Sequence, residues 1–221
     1  MSHIFCRRLA LGAPLLGILL VLGSCELSGA GDEGYLGTSF TLSERLQYAD
    51  KDGFEPSSFS GTIDFGMSGA AAPAFTATVT SGSLSVDFDA PVDTENWADI
   101  VLGMIITGTW DINDALAEGY VVNDVTFHET SPDVYDLNVL CTDFDLATFV
   151  YLAYSDRDVR VTASGTYSAP PDGTAGSTID MDLALKAGWN RVVLKRTGSG
   201  PYSDTYRVAG EPSGVSWAYG F

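Results

Sequence analysis

The feature that most constrains this chain is strict alternation of apolar and polar side chains. Ile179, Met181, Leu183 and Leu185 share one parity, and Asp180, Asp182 and Lys186 share the other. A period of two places successive side chains on opposite faces of an extended strand, so this segment buries one face and wets the other. The same period runs through Val159, Val161 and Ala163, and through Val215, Trp217, Tyr219 and Phe221. Phe75, Ala77 and Val79 alternate, Ser81-Gly82-Ser83 follows as a turn, and Leu84, Val86 and Phe88 alternate again. Together they predict a hairpin. Lys186-Ala187-Gly188 turns the 179–185 strand into the segment Trp189 to Leu194. Turn residues recur about every 8–12 positions, the spacing of sandwiches and barrels. The fold expected for residues 39–221 is all-β: an antiparallel β-sandwich of the Ig-like or transthyretin-like kind.

Composition points the same way. Glycine, tyrosine and phenylalanine number 24, 10 and 11, and 45% of the residues are hydrophobic. That mixture favours strand over helix, and 221 residues suffice for one large core or two small ones. It leaves room for at most one or two short helices. Asp93-Thr94-Glu95, followed by Trp97, Ile100, Val101, Met104 and Ile105, has the spacing of a capped helix. Gly103 and the β-branched content suit a buried strand equally. Asp111 to Gly119 predicts one or two helical turns with Gly119 as C-cap. There is also a faint echo. Leu46, Tyr48 and Asp50-Lys51-Asp52 match Leu152, Tyr154 and Asp156-Arg157-Asp158, and Ser60-Gly61-Thr62 matches Ser164-Gly165-Thr166. Two similar β halves dividing near residue 118 would produce it, and so would recurrent strand-and-turn chemistry.

Residues 1–24 are of a different kind. Arg7 and Arg8 precede an apolar run from Leu9 to Leu22, too short to span a hydrocarbon core of about 30 Å. The segment has the form of a secretory signal peptide and is excluded from the fold. It ends in Leu22-Gly23-Ser24-Cys25: an aliphatic residue, two small residues and a cysteine. This resembles the lipobox of bacterial lipoproteins, over the signal peptide and one residue beyond it. The resemblance implies that a signal peptidase reads Leu22, Gly23 and Ser24 and that the Cys25 thiol takes a diacylglyceryl group. Cys25 then becomes an acylated mature N-terminus in the bacterial cell envelope. A thiol is a good nucleophile for such a transfer, and two or three acyl chains hold a bilayer firmly where one does not. Glu26 to Thr38 is rich in Gly, Ser and acid, a flexible tether reaching roughly 20 Å on average; with Cys25 it forms the lipidated segment 25–38. Glu26 in place of Asp after the cysteine gives no sign of inner-membrane retention, so the outer membrane or cell surface is the expected address. Cys6 leaves with the signal and Cys25 carries lipid. Cys141 remains in the alternating run Leu137, Val139, Cys141, with no intramolecular disulfide partner, and a buried inert thiol is expected there.

Eleven basic residues face 29 acidic ones, a formal charge of −18. Removing Arg7 and Arg8 leaves nine basic residues. So acidic a surface repels phosphate backbones, so no nucleic-acid partner is expected, and it offers no basic patch to anionic lipid. Contact with a membrane is expected through the N-terminal lipid alone. Asp-x-Asp recurs at Asp50/Asp52, Asp87/Asp89, Asp143/Asp145, Asp156/Asp158 and Asp180/Asp182. Solvated strand faces and turns account for such pairs. Ca²⁺ is the one cofactor they admit, with Asp87, Asp89, Asp93 and Glu95 the densest set. Asp50-Lys51-Asp52-Gly53 fails as an EF-hand loop, because its first and twelfth positions would be Tyr48 and Phe59.

His128 is the only histidine after processing, which excludes a multi-histidine zinc site. G-x-S-x-G and P-loop motifs are absent from the sequence. No catalytic, cofactor-binding or metal-ligating residue is therefore assigned. Paired carboxylates cut glycans without histidine, but 29 acids allow a pair to be chosen at will. Trp97, Trp110, Trp189 and Trp217, with ten tyrosines, either fill β cores or present a patch over Trp97 or Trp110 for a glycan or envelope protein. The terminal Trp217, Tyr219, Phe221 resembles the closing strand of outer-membrane β-barrels, against which the lipobox argues. The expected function is a membrane-anchored envelope lipoprotein with a non-enzymatic binding, adhesion or structural role. The alternatives are a glycan hydrolase, a Ca²⁺-stabilised structural protein and a small outer-membrane barrel.

Overall fold

A computed structural model describes residues 33–104, 107–130, 136–169 and 174–221. The signal peptide, the lipobox Leu22-Gly23-Ser24-Cys25 and most of the tether lie outside the described residues, as does Ile105 of the helical pattern. In chain order the first elements are β1 (Tyr35–Gly37), β2 (Phe40–Arg45), β3 (Gln47–Asp50), β4 (Gly53–Pro56), β5 (Gly61–Gly66), β6 (Phe75–Thr80) and β7 (Ser83–Phe88). Next come β8 (Glu95–Asn96), α1 (Trp97–Met104), β9 (Thr107–Ile112), β10 (Glu118–Val122), β11 (Asp124–Glu129), β12 (Asp136–Asn138) and β13 (Leu140–Thr142). The last are β14 (Thr148–Ser155), β15 (Val159–Ala169), β16 (Thr174–Leu185), β17 (Gly188–Thr197), β18 (Ser203–Val208) and β19 (Ser216–Tyr219).

The chain is nearly all β, and its sheets pack as a sandwich without closing into a barrel. The smaller sheet has the order β12-β11-β5-β6-β7-β2. The larger runs β4-β3-β19-β13-β14-β17-β18-β16-β15-β9, with β1 on β17, β10 on β14 and β8 on β10. No helix among the described residues is long and apolar enough to cross a membrane.

The expected hairpin is present: Val79 pairs with Leu84 and Thr80 with Ser83. Ser81 and Gly82 both have positive φ, 49° and 78°, the two-residue turn whose twist matches a hairpin. A Cβ on Gly82 would lie 2.0 Å from the Ser57 carbonyl oxygen, so the turn also needs glycine for space. Leu84, Val86 and Phe88 then point inward with Ile63, Phe65, Val79 and Phe127. They meet Val150, Leu152, Trp189, Val193 and Trp217 from one face of the larger sheet. Phe88 is the hub: its ring lies 4.9 Å from Phe40, 5.3 Å from Phe65, 4.7 Å from Phe75 and 5.3 Å from Trp189. Trp189 keeps its polar edge satisfied, Nε1 donating to the Asp89 carbonyl at 3.0 Å.

The opposite face of the larger sheet carries a second core. Val159, Val161, Ala163, Ile179, Met181, Leu183, Leu185, Val192 and Leu194 are all buried there, packed with Trp97 and Val101 of α1 and with Ala117. Apart from Ala117, α1 is the one element outside the sheet in this core, and it has only eight residues. The sheet must therefore curl around its own side chains, with α1 joining β8 on one rim to β9 on the other.

Several expectations are altered. The 179–185 and 189–194 strands are adjacent in sequence but not paired: β18 lies between them, antiparallel to β17 and parallel to β16. A second parallel pairing joins β19 to β3. The helix is real, but Asn96, not the preceding Asp93 or Thr94, caps it, its Oδ1 accepting from the Ala98 amide at 2.8 Å. Residues 113–117 make a single turn, closed by the Ala117 amide on the Asp114 carbonyl at 3.1 Å. Gly119 belongs to β10 instead of capping a helix. Tyr35–Gly37, in the tether by composition, pair with β17 because Tyr35 and Leu36 are the first adjacent large apolar residues after the acidic stretch. Leu36 is buried, and the Tyr35 hydroxyl donates to the Ala187 carbonyl at 3.0 Å. The two echoing Asp-Lys/Arg-Asp segments both sit in turns, after β3 and after β14. Ser60-Gly61-Thr62 enters β5 of the smaller sheet, whereas Ser164-Gly165-Thr166 lies within β15 of the larger. Strands from both sides of residue 118 share the larger sheet.

Candidate functional site beneath the helix

Trp97 fixes how α1 sits. Its amide donates to the Ala117 carbonyl at 3.1 Å and its Nε1 to Ser155 Oγ at 3.3 Å. The ring lies so close to β10 that a Cβ on Gly119 would fall 2.3 Å from Cε2. Only glycine leaves this seat open, which is why a residue that reads as a helix cap stands inside a strand. With Trp97 pinned and Val101 buried, the helix is held over the curled sheet and a cavity of about 500 Å³ lies beneath it. Cavities of that size suit small-molecule ligands.

The floor is apolar: Ala153, Met181, Leu183 and Val192 from the sheet, with Ile100 and Val101 from the helix. Met67, Ser68 and Asn123 form another wall, and Asn123 Oδ1 holds the Ser68 amide at 2.7 Å. Polar character comes from two further sources. Glu95 and Asp99 flank Trp97 in sequence and are exposed. Tyr151 and Tyr206 stand among the apolar side chains. Burial pushes the Tyr151 hydroxyl up to about 12 and that of Tyr206 upward as well, so both stay neutral near pH 7. Among the described residues, the lining contains no lysine, arginine or histidine.

Beside Tyr206, on the same face of β18, stands Asp204, fully buried. Arg196 grips it with two bonds, Nε at 3.0 Å and Nη2 at 2.8 Å, and the Tyr167 hydroxyl donates to it as well. The Arg196 guanidinium also lies over the Tyr202 ring at 4.7 Å. This is a paired, multiply bonded charge of the kind that interiors tolerate.

Several other acids have structural partners. Asp182 is held by Arg160, Asp180 by Arg207, Asp156 by Arg157 and Asp158 by Lys186. Asp143 caps the amides of Ala147 and Thr148, and Asp87 accepts from Thr41. Among the described residues no three of His, Cys, Asp or Glu converge to hold a metal ion. His128 is clamped between Asp136 at 2.7 Å and Asp64 at 3.1 Å. Its pKa is raised, first by the hydrogen bond to Asp136. Glu44 and Glu211 share a small cavity of about 110 Å³ with Cys141. Burial and Glu211 raise the Glu44 carboxyl against the pull of Arg191. Cys141 is buried, and burial pushes its thiol well above its ordinary value, the state of an unreactive thiol.

The tryptophans divide. Trp97, Trp189 and Trp217 are buried, and Trp110 on the edge strand β9 is 42% exposed. The exposed aromatic cluster lies elsewhere, at the β3–β4 edge: Phe54 meets Phe144 at 5.6 Å and Phe221 at 6.0 Å, with Tyr48 nearby on Tyr219 at 5.7 Å. Sequence reasoning singled out Trp97 and Glu95 but not the cavity, whose other walls come from distant segments. Comparison of the chain with family models, curated proteins and solved structures finds no match.

Proposed function

We propose that this chain is a lipid-anchored envelope protein that holds a small apolar or amphipathic molecule in the cavity beneath α1, without catalysing a reaction. The single observation that carries the reading is the cavity itself, about 500 Å³, apolar on its floor and roofed by a helix that one tryptophan pins in place. Water in such a space has few hydrogen-bond partners, so an apolar body gains by replacing it. The anchor belongs to the same reading: lipid on Cys25 would keep the β region beside the membrane. A neutral, environment-sensitive fluorophore tests the cavity. It should brighten and saturate on the full chain, and Ala153→Leu, which adds bulk to the floor, should weaken it by about tenfold. Saturation unchanged in that variant, with the fold intact, defeats the reading. Cys25→Ala tests the anchor, and the variant should leave the precursor unprocessed. Detergent-phase partitioning identical to the parent's would overturn lipidation.

A second reading rests on the exposed aromatic cluster of Phe54, Phe144 and Phe221. It would dock an envelope glycan or protein through stacking and apolar contact. Phe54→Ser with Phe144→Ser should abolish that contact and leave the fluorophore's affinity unchanged.

A further inference from the structure

We infer that the cavity beneath α1 takes a cationic amphiphile, an apolar chain ending in an amine, with the chain under the helix and the ammonium between Glu95 and Asp99. The inference rests on the reading of the cavity as a binding site and assigns the chemistry of its occupant. Three observations lead to it. First, the lining presents two carboxylates and, among the described residues, no cation. A fatty acid or phosphorylated lipid would bring its anion to two like charges with nothing to neutralise it, which is unfavourable.

Second, these carboxylates are available to a ligand. The nine basic residues left after residue 24 are few, and most are committed to other acids: Arg157, Arg160, Lys186, Arg191, Arg196 and Arg207 each hold one. Glu95 and Asp99 form no ion pair or side-chain hydrogen bond with any described residue. They flank Trp97, whose ring adds an electron-rich face.

Third, Tyr206 lines the cavity with only 8% of its surface exposed, and its hydroxyl bonds to no described residue. A phenol facing the cavity offers a ligand's polar atom both a donor and an acceptor in place of water. Burial raises its pKa, so it remains a neutral donor and acceptor and never adds an anion near pH 7. The site therefore combines an apolar slot, a neutral hydrogen-bonding group inside it, and negative charge with an aromatic ring at one side. That combination selects an ammonium head over an alcohol, and an alcohol over a carboxylate.

Isothermal titration of the full chain with dodecylamine, dodecanol and dodecanoate separates head from tail. At pH 7 the amine should bind roughly tenfold tighter than the alcohol, the size expected of two partly exposed charge contacts, and the carboxylate should bind weakest. Glu95→Gln with Asp99→Asn should bring the amine to the alcohol's affinity and leave the alcohol unchanged. Equal affinities for amine and alcohol, or an amine preference that survives the double variant, overturn the inference while the cavity reading stands. Tightest binding by the carboxylate overturns it too. If none of the three binds, both the inference and the reading beneath it fall.

Discussion

Replacing Gly119 by alanine tests the seat on which the whole site depends. The new Cβ would stand 2.3 Å from Trp97 Cε2 and 2.5 Å from Cζ2 and Nε1. Carbon atoms settle at about 3.5–4.0 Å, so the contact is short by about an ångström or more. Neither side yields cheaply. Moving the ring breaks Nε1–Ser155 Oγ and lifts the start of α1, and moving β10 disturbs its pairing with β8 at Glu118–Asn96 and with β14 at Gly119–Ser155. Overpacking of a rigid buried ring costs about 1–3 kcal/mol and a lost hydrogen bond about 1 more, giving roughly 2–4 kcal/mol. In a chain of this size that lowers the midpoint of thermal unfolding by about 4–16 °C. Urea unfolding followed by tryptophan fluorescence measures the free energy directly. Gly103→Ala is the paired control: it lies in α1, where an added Cβ meets nothing within 4 Å. Relief of glycine's entropy should stabilise that variant by about 0.5–1 kcal/mol. A Gly119→Ala chain as stable as the parent, to within about 0.5 kcal/mol, would refute the packing argument.

Other expectations follow from the same contacts. Asp204→Ala removes the buried carboxylate that Arg196 and the Tyr167 hydroxyl both hold and should cost about 3–5 kcal/mol. Asp204→Leu combined with Arg196→Met should cost much less by urea titration, and equal losses would show that the pair itself supplies the stability. His128 has its folded pKa raised above the ordinary value of about 6.5 by Asp136 and Asp64. Its stabilising contribution is complete below the unfolded value and disappears as pH rises through the folded value. Solvent screening limits it to about 0.2–1 kcal/mol. The stability gap between the parent and His128→Gln should therefore shrink between pH 5.5 and 8, and a gap that widens contradicts the clamp. Cys141 should react with a thiol reagent only as fast as the chain opens, in proportion to the unfolded population across urea concentrations. Rapid modification in the absence of urea would show that the thiol is accessible.

Strands with one wet and one buried face were legible because period two survives in the residues themselves, from Ile179 to Leu185 and across the Phe75–Phe88 hairpin. What escaped depends on partners distant in sequence. Ser203–Val208 reads as polar, because its inward Asp204 is buried only through Arg196 and Tyr167. Hydropathy cannot see that pairing, so nothing foretold the insertion of β18 between β16 and β17. Gly119 carries the residue type of a helix cap and the position of a seat for Trp97, and only the three-dimensional approach decides between them. The helix itself was half legible, since the 97, 100, 101 spacing is helical while Gly103 and the β-branched content suit a buried strand equally. The cavity was illegible for the same reason as Asp204: Met67, Asn123, Tyr151, Met181, Val192 and Tyr206 come together from separate segments of the chain. One local signal was available, two acids flanking a tryptophan at Glu95, Trp97 and Asp99, but Glu95 fits a helix start or an acidic Ca²⁺ set equally and Asp99 carries no signal of its own.

The most direct test of the central claim is a crystal structure of the full chain grown with saturating dodecanol, the neutral member of the series. The account predicts continuous chain density beneath α1, running past Trp97 and Ala153 to Met181 and Leu183. Density confined to the Phe54–Phe144–Phe221 surface, or a cavity holding only ordered water at saturation, would contradict it.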